Sequence, residues 1–209
     1  ASGDQTIRLF DVRAQAELRC FRGHRASVKA VSPLDGAIFA SGGRDGSICM
    51  WDDRLPEPRP TLIIANAHEA ATPGKRKRGG GVAGFQSVSC VCFVHDATPK
   101  LATAGATDGA IKIWDLRMLS AGSGSSARAS SKARTPSPMQ TLRPVSEDKS
   151  RPRGIASLAV DASGSRLLAT TTSSVIYLYD PRWCVSRPAQ RSSAAAGGGG
   201  ASGGGGVCG

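Results

Sequence analysis

The sequence predicts an all-β fold, a partial β-propeller of about three blades plus the end of a fourth. Two observations support this prediction. A segment of 12 to 14 residues recurs four times, and each copy ends in an alternating β run, a large aromatic residue, an Asp and, two residues after it, an Arg. The closing Asp residues of the first two copies are 41 residues apart, which is the length of one propeller blade.

The four copies lie at residues 2–13, 41–54, 104–117 and 170–182, and they align without gaps from the first turn residue to the closing Arg. Their closing Asp residues are 41, 63 and 65 residues apart. The first spacing is the period of a WD40 blade, and each longer spacing equals one blade plus about 20 residues. The additional residues fall in two basic stretches rich in Gly, Ser, Ala or Pro, which we interpret as disordered loop insertions.

These spacings divide the chain into blades, insertions and a tail. The predicted segments are the end of a preceding blade (1–21), a blade (22–65), a blade with a basic insertion at 69–84 (66–117), a disordered Ser/Pro-rich basic insertion (118–153), a degenerate blade (154–183) and a low-complexity Gly/Ala/Ser tail (184–209). Closed propellers have about 4–8 blades, so we expect these repeats to be a fragment of a larger propeller.

The first complete repeat contains the residues of a hydrogen-bond relay that stabilises WD40 blades. Its strands are predicted over 27–33 and 37–41, separated by an Asp-Gly turn. In the relay an Asp orients a His, the His meets a Ser or Thr hydroxyl, and a Trp indole N–H completes the chain. The relay residues are His24, Ser41, Asp45 and Trp51 in this repeat. The next repeat offers His68, Thr103, Asp108 and Trp114, and the last repeat lacks the His and the Asp.

The formal charge of +11 is concentrated in the two insertions: 66–84 carries +3 and 118–153 carries +5. The compact cluster of Lys75, Arg76, Lys77 and Arg78 is typical of a nuclear-import signal, and a solvated charged loop is the alternative interpretation. Three residues precede Pro and resemble sites of proline-directed kinases, with an unmodified linker as the alternative: Thr72, Thr135 and Ser137.

The sequence predicts no catalytic centre, metal site or cofactor. The six Cys residues are scattered without a Cys-x-x-Cys pair, which is typical of buried thiols in a reducing compartment. The three His residues are also scattered, and two of them belong to the relays. No apolar run approaches the roughly 18–20 residues of a membrane span, and the first residues do not form a signal peptide, so we expect no membrane partner.

With these motifs the chain resembles the denticleless-type WD40 proteins, the substrate receptors of cullin-4 RING ubiquitin ligases. The resemblance covers roughly residues 1–183. The segments that carry it are ASGDQTIRLFDV (1–12), GGRDGSICMWDDR (42–54), AHEAATPGKRKR (67–78) followed by FQSVSCVCF (85–93), and AGATDGAIKIWDLR (104–117).

In such receptors a Trp-Asp-x-Arg ending is the docking signature for the ligase adaptor, the damage-specific DNA-binding protein subunit. Two copies stand in this chain, so the resemblance assigns adaptor docking to Asp52, Arg54, Asp115 and Arg117. An Arg at the end of a blade strand offers a planar fork of donors to acidic or carbonyl groups. Arg13 and Arg182 follow Phe-Asp and Tyr-Asp and depart from the signature. Asp53, which adjoins Arg54, is expected to compete for that guanidinium.

The resemblance implies a nuclear, non-enzymatic protein. It would recruit degron-bearing replication or cell-cycle proteins, displayed on the replication sliding clamp, for ubiquitin-dependent degradation in DNA replication and the DNA damage response. Two alternatives remain at this point. The chain could be a general nuclear WD40 scaffold whose arginines only stabilise blades, or it could bind nucleic acid directly through residues 75–78 and 128–153.

Overall fold

Three four-stranded antiparallel sheets and one two-stranded sheet follow one another along the chain. The computed structural model describes residues 2–68, 86–95, 98–117, 136–143, 154–180 and 186–188. In each four-stranded sheet the spatial order of the strands is their order in sequence, so each sheet is a meander. The predicted architecture, a partial all-β propeller, is confirmed.

The strands have the following bounds. The two-stranded sheet contains β1 (Thr6–Asp11) and β2 (Ala16–Arg22). The first full blade contains β3 (Val28–Pro33), β4 (Ile38–Gly43), β5 (Ile48–Asp52) and β6 (Leu62–Ile64). The second full blade contains β7 (Val88–Val94), β8 (Lys100–Gly105), β9 (Ile111–Asp115) and β10 (Gln140–Leu142). The third contains β11 (Ile155–Val160), β12 (Leu167–Thr171), β13 (Ile176–Tyr179) and β14 (Ser186–Pro188).

The hydrophobic core lies between successive sheets. One buried cluster joins the first and second full blades, and its members include Ile48, Val88 and Trp114. A Cβ on Gly42 would approach Val88 Cγ1 to 2.6 Å and Val91 Cγ2 to 2.7 Å, so a glycine is needed where these two blades meet. A second cluster joins the second and third full blades, and a third joins the two-stranded sheet to the first full blade.

All blades point the same way, so the molecule has two distinct ends. The relay end comprises 22–28, 43–48, 68, 86–88, 105–111, 154 and 171–175. The arginine end comprises 11–16, 33–38, 52–54, 94–95, 98–100, 115–117 and 160–166. Contacts between blades keep the two ends aligned, since the Phe93 N–H lies 3.4 Å from Ser32 Oγ and Ser89 Oγ donates to the Ile155 carbonyl at 2.7 Å.

Two strands lie in segments for which the sequence predicts no regular structure. The predicted disordered insertion 118–153 contains β10, whose Leu142 is buried against the second core cluster. The predicted tail 184–209 contains β14, which pairs with β13. Each strand has only three residues, too few to show an alternating pattern in a Ser- and Pro-rich context, and each exists because it pairs with the strand before it.

The repeats do not align without gaps, contrary to the expectation from sequence. Ser41 precedes Trp51 by 10 residues, whereas the corresponding Thr103 precedes Trp114 by 11. The additional residue lies in the turn between β8 and β9. There the Gly105 N–H donates to the carbonyl of Ala110, five residues later, whereas in the first full blade the Gly43 N–H donates to the carbonyl of Ser47, four residues later. Glycines in the left-handed region, Gly46 (φ 75°) and Gly109 (φ 60°), close the two turns.

The predicted tetrabasic cluster, Thr72 and Thr135 lie outside the described residues. Ser137 is described and exposed. Within the described part of the chain there is no helix long and apolar enough to cross a membrane, and the same residues contain no group of three or more potential metal ligands.

Candidate functional site

The first predicted relay is assembled around the Ser41 hydroxyl. Trp51 Nε1 donates to Ser41 Oγ at 2.8 Å, and His24 Nε2 lies 2.7 Å from the same oxygen. His24 Nδ1 is 3.2 Å from Asp45 Oδ2. The carboxylate acceptor favours a proton on Nδ1, which leaves Nε2 to accept from the Ser41 hydroxyl.

A fifth residue, Ser47, completes this relay and was not identified from the sequence. Ser47 Oγ donates to Asp45 Oδ1 at 2.7 Å and lies 3.1 Å from His24 Nδ1. Burial opposes ionisation of Asp45, but the hydrogen bonds from His24 and Ser47 outweigh it and hold the pKa of Asp45 well below its ordinary value. The signal for Ser47 was its position two residues after the Asp, where a side chain can close an Asx-type turn.

The second relay has the same geometry in the second full blade. His68 Nδ1 is 2.7 Å from Asp108 Oδ2, His68 Nε2 is 3.0 Å from Thr103 Oγ1, and Trp114 Nε1 donates to Thr103 Oγ1 at 2.9 Å. A Cβ on Gly105 would collide with Asp108 Oδ1. The relay therefore requires a glycine at this position, because any side chain there would occupy the space of the His68–Asp108 pair.

The third full blade replaces the relay by a shorter link. Thr171 Oγ1 lies 2.8 Å from Ser173 Oγ, and Tyr179 stands at the position of the two Trp residues. The Tyr179 hydroxyl is buried and has no hydrogen-bond partner among the described residues, and burial raises its pKa. Because Tyr179 stands where the other blades have Trp, and because the His and Asp are absent as the sequence predicts, this blade has no indole-to-hydroxyl hydrogen bond and no His–Asp pair among its described residues.

At the opposite end of the first full blade, Arg54 forms a two-point ion pair with Asp52. Arg54 Nε donates to Asp52 Oδ1 at 2.9 Å and Nη2 donates to Oδ2 at 2.8 Å. The Arg54 N–H also donates to Oδ1 at 3.0 Å, which fixes the turn after β5. The hydrogen bonds from Arg54 hold the pKa of Asp52 at about 2 and raise the pKa of Arg54.

The second signature repeats this arrangement after β9. Arg117 Nη2 donates to Asp115 Oδ2 at 3.2 Å, and the Arg117 N–H donates to Asp115 Oδ1 at 2.9 Å. The side chains of Arg54 and Arg117 are 66% and 64% exposed, while the Asp partners are largely covered. Each Asp therefore orients an Arg whose outer edge faces solvent.

Asp53 does not compete for Arg54, contrary to the expectation from sequence. It pairs with Arg19 of the neighbouring sheet, whose Nη1 lies 3.2 Å from Asp53 Oδ1. Arg19 Nη2 also donates to the Leu55 carbonyl at 2.7 Å and the Pro56 carbonyl at 2.9 Å. The neighbouring sheet thus draws Asp53 away from the Asp52–Arg54 pair, an effect that adjacency in sequence cannot show.

The two signatures border one groove between the first and second full blades. Asp52 and Arg117 both line this groove, which has a volume of about 400 Å³. Its apolar wall comes from the turns and strand ends of both blades: Leu34, Ile38, Met50, Leu62, Pro99 and Leu116. The arginine end therefore offers an apolar cleft with guanidinium and carboxylate groups at its edge.

Arg13, which departs from the signature, also differs in geometry. Its N–H donates to Asp11 Oδ1 at 2.8 Å, but its guanidinium makes no hydrogen bond with any described residue. The fork between Arg and Asp is thus a property of the two Trp-Asp-x-Arg copies within the described chain.

The described cysteines have free thiols: Cys20, Cys49, Cys90 and Cys92. Burial raises the pKa of Cys49 to about 12 and also raises the pKa values of Cys90 and Cys92. Such thiols are poor nucleophiles, as expected of packing residues.

Comparisons with known proteins find WD40 repeats and denticleless relatives. The family described as WD domain, G-beta repeat matches residues 15–52 and 82–115. The denticleless protein homolog A of Xenopus laevis is 36% identical over 197 residues, covering 86% of this chain. The denticleless protein homolog of Homo sapiens is 35% identical over 196 residues, also covering 86%. The chain is a denticleless-type WD40 repeat protein.

This denticleless-type chain spans about a quarter of the length of these relatives, 26% of the Xenopus protein and 25% of the human one. The lethal(2)denticleless protein of Drosophila melanogaster is 34% identical over 207 residues, with 90% of this chain covered. A solved structure of U3-55K matches with a TM-score of 0.56 and 21% identity, covering 81% of this chain and 42% of its own, which supports the fold alone.

Proposed function

We propose that this chain belongs to the substrate-recognition subunit of a cullin-4 RING ubiquitin ligase and that its arginine end docks the ligase adaptor, the damage-specific DNA-binding protein subunit. The observation that carries the proposal is the pair of Asp–Arg forks on consecutive blades beside one apolar groove. The likeness to denticleless proteins supports it.

The chemistry of the rim suits a protein partner. Asp52 occupies Nε and one N–H of Nη2 on Arg54, and the other N–H groups of this guanidinium have no partner among the described residues. They can donate to carbonyl or carboxylate groups of the adaptor, while the groove receives an apolar side chain. Because each Arg is already held by its Asp, little side-chain entropy is lost on docking.

The protein itself has no catalytic role in this proposal. A separate conjugating enzyme transfers ubiquitin, and the propeller holds degron-bearing replication or cell-cycle proteins, displayed on the sliding clamp. We place this activity in the nucleus, with Lys75, Arg76, Lys77 and Arg78 as the import signal. The nuclear fraction of a variant with Ala at these four positions tests the import signal separately.

The decisive experiment is co-purification of the full chain with the adaptor. The double substitution Arg54→Ala plus Arg117→Ala should weaken adaptor binding by at least about tenfold, since two charge-assisted donors are removed at once. The matched control is Arg13→Ala plus Arg166→Ala, which removes two exposed arginines from the same end and should leave binding unchanged.

The competing hypothesis is a general WD40 scaffold. The ion pairs of Arg54 and Arg117 support it, because they stabilise the turns after β5 and β9. It predicts a lower melting temperature for the Arg54 and Arg117 variant and undiminished adaptor binding. That combination would refute the docking assignment.

A further inference from the structure

The relay end of the first full blade carries three exposed basic side chains close together: Arg25, Lys29 and Arg44. The Arg25 N–H donates to Asp45 Oδ2 at 2.7 Å, and the Arg44 N–H donates to the Ser27 carbonyl at 2.8 Å. Lys29 follows Val28, which pairs with Gly43. The three residues therefore surround one corner of the sheet.

None of these three side chains has a hydrogen-bonding or ionic partner among the described residues. The acidic groups nearby are already engaged: Asp45 is held by His24 and Ser47, and Asp4 by Thr6 and Arg8. At the arginine end, Arg19, Arg54 and Arg117 form ion pairs, whereas the guanidinium groups of Arg13 and Arg166 have no partner among the described residues.

A β-bulge exposes Lys29. The register of β3 against β4 shifts between Val28 and Ala30, and bulges re-aim the residue they carry. The other two full blades have bulges at the same place, where Ser89 and Ala156 stand. Arg44 likewise corresponds to Ala106 and Thr172, which make the same backbone hydrogen bond. The common backbone therefore carries cations in the first full blade alone among the three described.

We propose that Arg25, Lys29 and Arg44 bind the phosphate backbone of nucleic acid, at the end opposite the proposed docking rim. Nucleic acid is favoured because its negative charge lies along a continuous backbone of phosphates, which exposed cations bind without a pocket, and an acidic peptide is the alternative that the competition experiment tests. No exposed aromatic side chain is described at the relay end, so base stacking is not available and binding is independent of base sequence.

The test measures fluorescence anisotropy of the full chain with a labelled DNA duplex of about 20 base pairs and arbitrary sequence, between about 50 and 200 mM salt. A single-stranded RNA of equal charge and a polyglutamate of equal charge serve as competitors. Lys29→Glu plus Arg44→Glu should lower the association constant at least about tenfold and reduce the slope of its logarithm against log salt by about 2.

The control Arg13→Glu plus Arg166→Glu makes the same change in net charge at the arginine end and should alter affinity less than about twofold. Lys29→Ala plus Arg44→Ala guards against misfolding of the charge-reversed variant and should reduce the slope equally. Equal losses in the two charge-reversed variants, an unchanged slope, or competition by polyglutamate as strong as that by RNA would overturn the proposal. The Arg54 and Arg117 variant should retain duplex binding, which separates this inference from the docking proposal.

Discussion

The Ser41 hydroxyl connects three residues from different parts of the first full blade. It bonds to His24 at the relay end, to the Trp51 indole in the core, and through His24 to Asp45. Because all four residues are buried or nearly so, each group depends on the others for its hydrogen bond. Removing the central hydroxyl should therefore affect two buried donors or acceptors at once.

Ser41→Ala should lower the free energy of unfolding by about 2–4 kcal/mol, because His24 Nε2 and Trp51 Nε1 lose their partner without access to water. Urea unfolding of the full chain measures the change. Ser41→Thr is the matched control, since Thr103 makes the same bonds in the next blade at 2.9 and 3.0 Å. Similar losses in both variants would show that volume, not the hydroxyl, determines stability here.

The other residue-scale feature is the division of acidic partners at the arginine end. Asp52 holds Arg54, while Asp53 turns to Arg19 on the adjacent sheet. Two adjacent acids thus have separate tasks: one orients the proposed docking group, and the other fastens two sheets together. The sequence places them side by side, and only their neighbours distinguish them.

At the scale of elements, the outermost strands define where each blade ends. β10 pairs Gln140 with Ile113 and Leu142 with Ile111, and Leu142 is 5% exposed. This strand returns along the blade towards the relay end after the chain has left β9 at the arginine end. Residues 140–142 are therefore part of the second full blade and not of a loop.

Leu142→Ala should lower the free energy of unfolding by about 2–4 kcal/mol, as expected for truncation of a buried leucine. Thr141→Ala, at the adjacent exposed position, should cost less than about 1 kcal/mol. Urea unfolding gives the energies, and amide exchange of residues 140–142 reports the strand directly. Equal small effects at both positions would mean that β10 does not contribute to the blade.

At the scale of the whole molecule, the two ends differ in electrostatic character. The arginine end has two Asp–Arg pairs beside an apolar groove, and the relay end has buried His–Asp pairs in two blades and three exposed cations in the first full blade. This difference arises because the blades pack side by side in the same orientation. The relay residues of successive blades therefore lie at one end and their Asp-x-Arg residues at the other. A protein partner at one end and a polyanion at the other are compatible with a single chain.

The stability of the whole molecule should depend on pH through Asp45. Its pKa is lower in the folded chain than in the unfolded one, so the ionised carboxylate contributes stability that is fully present above the ordinary Asp pKa of about 4 and is lost as the pH falls towards the folded value. Unfolding free energies measured down from about pH 6 should decline with acid, and Asp45→Asn should reduce that dependence.

A useful comparison for this titration is Asp52, whose pKa of about 2 arises from hydrogen bonds donated by the exposed Arg54. About 1 M salt should screen the contribution of Asp52 and leave most of that of the covered Asp45. A decline that is unchanged by Asp45→Asn would exclude the relay as its source.

The sequence by itself determined the repeat, the four members of each relay and the two Trp-Asp-x-Arg copies, because these depend on residue type at fixed spacing along single strands and turns. Ile111 and Ile113 alternate towards the core, and the closing Trp-Asp recurs once per blade. Such local patterns are visible without knowledge of which strands are neighbours.

Tertiary structure alone decided the features that depend on neighbours from another part of the chain. β10 and β14 exist through pairing and not through propensity, and Asp53 meets Arg19 across a sheet boundary. The groove shared by Asp52 and Arg117 needs two blades in contact, and the cations of the relay end come together through a bulge and a turn. Spacing in sequence fixes what a residue can do within its own blade, whereas packing of one blade on another fixes which residues act together.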